Sequence, residues 1–147
     1  DVVIDFTTPA ASLEHCLLAH EYKTALVIGT TGFNPAQVKM LQEHAKRVPI
    51  VASPNMSFGV NILIALTEHV ARLLDDDYDV EIFELHHRHK IDSPSGTALA
   101  LGRAAAGGRG APWDDCAIWE RHGVTGEREK GGIGFSTARG GDVIGDH

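Results

Sequence analysis

The sequence predicts an α/β chain: a parallel sheet with helices, followed by an α+β region built on a mixed sheet. Three observations carry this. Over the first third, short apolar runs alternate with helical patterns in the order β-α-β-α-β, with short links, as a parallel sheet reads. A long amphipathic pattern then starts directly after a Pro54-Asn55-Met56 break, which sets the expected boundary between residues 1–56 and 57–147. Beyond it, glycines punctuate short strand-like segments, the pattern of a mixed or antiparallel sheet.

Each element has its own signal. Val2-Val3-Ile4-Asp5-Phe6 reads as a buried strand. Thr8-Pro9 supplies an N-cap and a proline at the first helical position. The helix that follows puts Leu13, Cys16, Leu17 and His20 on one face. Ala25-Leu26-Val27-Ile28 is the second strand, and Asn34-Pro35 opens a helix with Val38, Leu41 and Ala45 facing inward. Pro49-Ile50-Val51-Ala52 is the third strand, with right-handed connections expected throughout. Residues 57–74 form one amphipathic helix through Val60, Leu63, Ile64, Thr67, Val70, Ala71 and Leu74, closed by a solvated Asp75-Asp76-Asp77 turn. Residues 79–87 read as a strand, and residues 95–106 as a helix stopped by Gly107-Gly108. Residues 117–120, 133–138 and Val143-Ile144 complete the second sheet, with Trp113 and Trp119 as packing anchors.

Composition narrows the function classes. The 147 residues hold 13 Lys+Arg against 20 Asp+Glu, a formal charge of −7, with 43% hydrophobic and 22% charged residues. These values suit a folded chain with a real core and argue against disorder. The acidic balance argues against nucleic acid or an anionic membrane as the main partner. No apolar run reaches the roughly 18 residues of a membrane helix, and no signal-peptide pattern is seen. Two cysteines are too few for a disulfide scaffold, so reduced thiols and a cytoplasmic location are expected. The chain opens at Asp1 inside an apolar run and closes on Gly145-Asp146-His147, so it is expected to be a piece of something longer.

The densest chemistry lies in Glu84-Leu85-His86-His87-Arg88-His89-Lys90-Ile91-Asp92-Ser93-Pro94-Ser95-Gly96-Thr97-Ala98. Three histidines, an arginine and a lysine crowd the end of a strand and need anions nearby. A helix starts at once behind them, so backbone N–H groups, Ser and Thr hydroxyls and the positive end of a helix dipole converge. That combination predicts an anionic small-molecule substrate; the bland alternative is a solvated basic loop. Zinc binding at His86, His87 and His89 is disfavoured, because neighbours along a strand point to opposite faces and no Cys pair or His-Glu-x-x-His helix supports them. A second group, Gly29-Thr30-Thr31-Gly32-Phe33, ends a parallel strand, where open α/β sheets bind ligands. The loops Asp5-Phe6-Thr7 and Ser53-Pro54-Asn55-Met56 end its neighbours. Alone each reads as a tight turn; together they suggest a cofactor crevice.

At these residues the sequence resembles the 4-hydroxy-tetrahydrodipicolinate reductase (dihydrodipicolinate reductase) family of the diaminopimelate–lysine pathway. The likeness runs through His86-His87-Arg88-His89-Lys90, Asp92, Pro94 and Ser95-Gly96-Thr97-Ala98, through Gly29-Thr30-Thr31-Gly32-Phe33, and through Ser53 to Ser57 with Gly59-Val60-Asn61. It continues in Gly126-Glu127-Arg128, Ile133-Gly134-Phe135, Arg139 and Gly141-Asp142. The resemblance implies a Rossmann-like NAD(P)-binding domain ending at residue 56 and a substrate-binding and oligomerisation domain from residue 57. It implies His86 as proton donor and acceptor, Lys90 as proton donor, and His87, Ser95, Gly96 and Thr97 as substrate ligands. It implies Gly29, Thr30, Thr31, Ser53, Pro54, Asn55 and Met56 at NADH or NADPH, a cyclic dicarboxylate as substrate, no metal, and a homotetramer. In the family, a Gly-rich G-x-G-x-x-G type loop precedes this region and further chain follows it, so the chain is expected to be the central part of the enzyme. Two other readings are a non-catalytic dicarboxylate-binding or oligomerisation module, and a zinc hydrolase using the histidines.

Overall fold

A computed structural model describes residues 1–147, the side chain of Asp75 excepted, so the expected solvated turn can be followed at Asp76 and Asp77 alone. The chain divides into two compact units, Asp1–Met56 and Ser57–His147.

In the first unit, β1 (Val2–Asp5), β2 (Ala25–Ile28) and β3 (Ile50–Ala52) form a parallel sheet in the order β1-β2-β3. The register sets Asp5 beside Ile28 and Ile28 beside Ala52, so the strand ends and their loops line up along one edge. Helix α1 (Pro9–Tyr22) is capped by the Thr8 hydroxyl, which accepts from the Ala11 amide at 3.4 Å. Helix α2 (Pro35–Ala45) starts with a full capping box between Asn34 and Gln37. Both helices pack together, as two crossovers that step the same way require. The core is Cys16, Ala19, Leu26, Ile28, Leu41 and Val48.

Three expectations change here. The β1 strand is not buried: Val2 and Ile4 are 53% and 67% exposed, because both helices cover one face and leave the other open. Helix α1 turns its small side chains Ser12, Cys16 and Ala19 inward, which lets it lie close to the sheet, while Leu17 and His20 face outward. On α2 only Leu41 is buried; Val38 and Ala45 are exposed.

The second unit runs α3 (Phe58–Leu74), a 3-10 turn at Asp75–Asp77, β4 (Val80–His86), α4 (Gly96–Arg109), α5 (Trp113–Cys116), β5 (Ala117–Ile118) and β6 (Ile133–Arg139). Within the turn, Asp76 and Asp77 meet Lys130 at 3.7 and 2.8 Å. The sheet order is β4-β6-β5, and its strand pairs are parallel. Its antiparallel component is one bridge, Leu85 to Asp146, on the other edge of β4. The expected strand at Val143-Ile144 does not form, and Ile144 is 93% exposed. Bonds from Gly140 N to His86 O and from Arg88 N to Gly141 O swing the chain round the end of β4, so that Asp146 is the residue meeting Leu85.

Helix α4 packs on the face of the sheet carrying Ile82, Ile133 and Phe135, and on Ala71 of α3. It does not stop at Gly107-Gly108 but reaches Arg109, with Gly110 (φ 65°) as the left-handed cap. The physical reason lies at Gly108. A Cβ there would collide with the Glu68 carbonyl of α3, so glycine permits close helix–helix contact rather than ending the helix. Trp113, Trp119 and Phe135 form a ring cluster, with Trp119 stacked on Phe135 at 5.2 Å and the Arg103 guanidinium over Trp113 at 4.6 Å. The outer face of α3 is apolar and open, through Ile62, Leu63, Leu66 and Leu73.

Candidate active site

The strongest candidate centres on Glu84, whose 1% exposure makes it the most deeply buried charged group among the described residues of its unit. Strand periodicity sets its direction: Ile82, Glu84 and His86 share one face of β4, and α4 covers that face. Burial pushes the Glu84 carboxyl up, but hydrogen bonds from Arg139, from His86 and from the Ser95 amide outweigh it and hold the group at about 2. Arg139 is a two-pronged donor, Nη1 to Oε2 and Nη2 to Oε1, both at 2.7 Å. The register of β4 and β6 puts Arg139 beside His86, which aims the fork at Glu84. The Ser95 amide donates to Oε1 at 3.0 Å and His86 Nδ1 lies 2.6 Å from Oε2.

Ser95 caps α4. Its hydroxyl oxygen accepts from the Ala98 amide at 3.1 Å and also pairs with His147 Nε2 at 2.6 Å. The His147 ring stands edge-on to His86 at 5.0 Å, and its pKa is lowered by burial and by His86. Gly145 passes along the other edge of the same ring: a Cβ there would lie 2.6 Å from His86 Nε2. At Gly96 a Cβ would meet nothing within 4 Å, so open space lies over the first turn of α4. The Gly96 amide belongs to the turn where helical N–H groups have no carbonyl partner in the helix.

The loop between β4 and α4 is tied back to the same cluster. Lys90 Nζ pairs with Asp92 at 2.7 Å, and Arg139 Nη2 donates to the Asp92 carbonyl at 2.7 Å. Asp92 carries a lowered pKa, where the Lys90 bond overcomes burial. His87 leans toward His89, ring centroids 6.1 Å apart, and its buried Nδ1 has no protein partner. Among the described residues no group of three or more His, Cys, Asp or Glu is gathered as a metal ion would need.

The second group of sequence candidates lies in the first unit, along the carboxyl edge of its sheet. The Ser53 amide donates to the Ile28 carbonyl at 3.1 Å, which sets the loop 53–56 beside the loop 29–33. Thr30 points inward: its hydroxyl accepts from the Thr7 amide at 2.9 Å and donates to Asp5 at 3.3 Å. Asp5 is buried and further held by Thr7 at 2.6 Å and His15 at 2.9 Å. Burial raises its carboxyl, but bonds from Thr7 and His15 bring it to about 2. Thr31 is exposed, Gly32 turns the loop with φ 86°, and Phe6 lies so close over Gly29 that a Cβ there would strike its ring. The Ser53 hydroxyl donates to the Asn55 carbonyl at 2.7 Å, and Met56 stays 39% exposed. These loops present peptide groups, a hydroxyl and an aromatic face, a donor set that fits a planar carboxamide ring.

Three residues of the cluster had no role assigned from sequence. Glu84 opens the motif but carried no signal beyond its place in it. Arg139 and His147 lie 55 and 52 residues from their partners, and only the β4–β6 pairing and the Leu85–Asp146 bridge bring them in.

Comparison with known proteins follows the same division. Residues 1–56 match the family described as "Dihydrodipicolinate reductase, N-terminus" and residues 59–147 match "Dihydrodipicolinate reductase, C-terminus". The chain is 55% identical over 145 residues to the 4-hydroxy-tetrahydrodipicolinate reductase of Dinoroseobacter shibae, covering 99% of this chain and 54% of that protein. It is 54% identical over 147 residues to the protein of the same name from Aromatoleum aromaticum, covering 100% of this chain and 53% of that one. The chain thus spans about half the length of the curated relatives it matches. Among solved structures it is similar to "Dipicolinate bound Dihydrodipicolinate reductase from Paenisporosarcina sp. TG-14", with TM-score 0.60 and 30% identity over 99% of this chain and 55% of that one. With matches that run through both units in chain order, the chain belongs to the dihydrodipicolinate reductase family.

Proposed function

We propose that the protein reduces 4-hydroxy-tetrahydrodipicolinate to tetrahydrodipicolinate, with NADH or NADPH as reductant, in lysine and diaminopimelate biosynthesis. The observation that carries this is the juxtaposition of His86 with the open first turn of α4, through one buried carboxylate. A cyclic dicarboxylate needs anion donors beside a proton source, and this cluster supplies both. A related protein solved with dipicolinate bound supports the same ligand class.

In this reading residues 57–147 bind substrate and residues 1–56 belong to the cofactor domain. Ser95, Gly96 and Thr97 hold one substrate carboxylate at the helix start, Ser95 through its hydroxyl because its amide is engaged with Glu84, and His87, whose Nδ1 has no protein partner, binds beside them. Lys90 offsets the dianionic charge and donates a proton, with Asp92 holding its ammonium. His86 donates and accepts the proton that completes the reduction. Gly29, Thr30, Thr31 and Ser53, Pro54, Asn55 and Met56 face the reduced nicotinamide, Thr30 through its backbone because its hydroxyl is engaged with Thr7 and Asp5. The bound nicotinamide supplies the hydride.

The test is a turnover assay on the full-length protein, following loss of reduced nicotinamide absorbance. His86→Ala and Lys90→Ala are expected to lower kcat by at least 100-fold and His69→Ala, far along α3, by less than twofold. Equal losses at all three positions would mean a folding effect and end the assignment. The working protein is proposed to be a cytoplasmic homotetramer meeting through the uncovered sheet face that carries Phe83, 58% exposed. Light scattering of the full-length protein reads this directly, and a monomer at micromolar concentration would remove the oligomer from the account.

A further inference from the structure

We propose that Glu84 is the positioning residue of the proton-transfer step: its buried carboxylate fixes the tautomer and direction of His86 and locks that ring to the first turn of α4. The proposal rests on the reading of His86 given above and goes beyond it to the group that makes His86 usable.

The argument starts from donor arithmetic. An ionised carboxylate only accepts hydrogen bonds, at about four lone-pair sites on its two oxygens. Glu84 receives four donors: Arg139 Nη1 and His86 Nδ1 at Oε2, and Arg139 Nη2 and the Ser95 amide at Oε1. The His86 nitrogen that faces it must therefore carry a proton. In the neutral ring this leaves Nε2 as the bare, basic nitrogen; in the imidazolium, Nε2 carries the transferable proton. Glu84 thus confines all gain and loss of protons to Nε2, the edge along which the side-chain-free Gly145 passes.

Arg139 makes the arrangement persistent. Its guanidinium stays charged and balances Glu84 in both protonation states of His86. The carboxylate has no reason to take the proton itself, so it orients the ring without competing for the proton. A purely structural role would be met more simply by an apolar side chain, since Ile82 occupies the same face two residues earlier and packs in the core. The link through the Ser95 amide adds a geometric consequence. The proton donor and the proposed carboxylate site are held by two oxygens of one group, so their separation is fixed by a single rigid side chain.

The test uses the full-length protein and Glu84→Gln. The glutamine keeps the shape, and its carbonyl still accepts from Ser95. Its amide, in place of Oε2, gives up the bond from Arg139 Nη1 and presents N–H toward His86 Nδ1, which imposes the opposite tautomer. The expected result is a kcat lower by 10- to 100-fold with substrate KM changed less than threefold. In nitrogen-15 spectra of the histidines at alkaline pH, His86 is expected as the Nδ1–H tautomer in the parent and the Nε2–H tautomer in Glu84→Gln. A parent protein whose neutral His86 carries its proton on Nε2 overturns the proposal without any variant, which covers the case where Glu84→Gln does not fold. An unchanged tautomer or unchanged kcat in a folded Glu84→Gln protein overturns it as well. Measured alongside, His86→Ala separates the two levels. If it loses turnover while Glu84→Gln keeps it, the positioning role fails and the reading of His86 stands; if it keeps turnover, that reading fails and the positioning role with it.

Discussion

Replacing Arg139 by methionine removes the fork that neutralises Glu84 while retaining much of the side chain's length. The Glu84 carboxyl sits at about 2 against an ordinary 4.5, and that gap corresponds to about 3 kcal/mol of folding stability. The sign follows from the direction: a depressed carboxyl contributes fully above about pH 4.5 and loses its contribution as pH falls toward about 2. Arg139 supplies the largest of the favourable contacts, two bonds at 2.7 Å. Without them Glu84 keeps its burial and has only His86 and Ser95 as partners. Arg139→Met is therefore expected to lose about 3 kcal/mol at pH 7, at the lower end of what breaking a buried ion pair costs. Urea unfolding read by fluorescence measures this, because in the same unit Trp119 stacks on Phe135 and Trp113 meets it edge-on. The difference between parent and variant should shrink as pH falls from about 4.5 toward about 2, where Glu84 protonates in the folded parent as well. A loss under about 1 kcal/mol at pH 7, or a loss that does not depend on pH, would refute the reasoning.

Four further outcomes are expected. Gly108→Ala drives a methyl into the Glu68 carbonyl and should destabilise by about 1–3 kcal/mol. Gly107→Ala, one residue away with nothing within 4 Å, should instead stabilise by about 0.5–1 kcal/mol; equal urea midpoints for the two would contradict the α3–α4 contact. Asp5→Asn should lose about 2 kcal/mol at pH 7, from a carboxyl held at about 2 against 3.8, and the loss should fade as pH drops from about 4 toward 2. Hydrogen exchange at the Thr7 amide, which donates to Thr30, should quicken in that variant, and unchanged exchange would dissociate Asp5 from the loop that Thr30 begins.

Much of the architecture was legible because local signals agreed with each other. Thr8-Pro9 and Asn34-Pro35 each placed a cap and a proline where α1 and α2 begin, and the break after Met56 fell between the two compact units. Other features depended on partners distant in sequence. Gly107-Gly108 reads as a stop signal locally, and only the approach of α3 shows why glycine stands at 108. Helix α1 offered Leu13, Cys16, Leu17 and His20 as its inner face, but close packing kept Cys16, with Leu13 half-buried, and turned Ser12 and Ala19 inward in place of Leu17 and His20. In the candidate site, His86 and the cap at Ser95 could be read from one continuous motif. The groups that hold them, Arg139 and His147, could not, because the parallel β4–β6 pairing and the antiparallel Leu85–Asp146 bridge join residues more than fifty apart and leave no local pattern.

The central claim is that a cyclic dicarboxylate sits over the first turn of α4 beside His86. Titrating the full-length protein with dipicolinate while following backbone amide resonances tests it most directly. The account predicts saturable shifts at the Gly96 and Thr97 amides and at the His86 ring, with little change along α1 and α2. Shifts that leave Gly96, Thr97 and His86 untouched, or no saturable binding at millimolar dipicolinate, would contradict it.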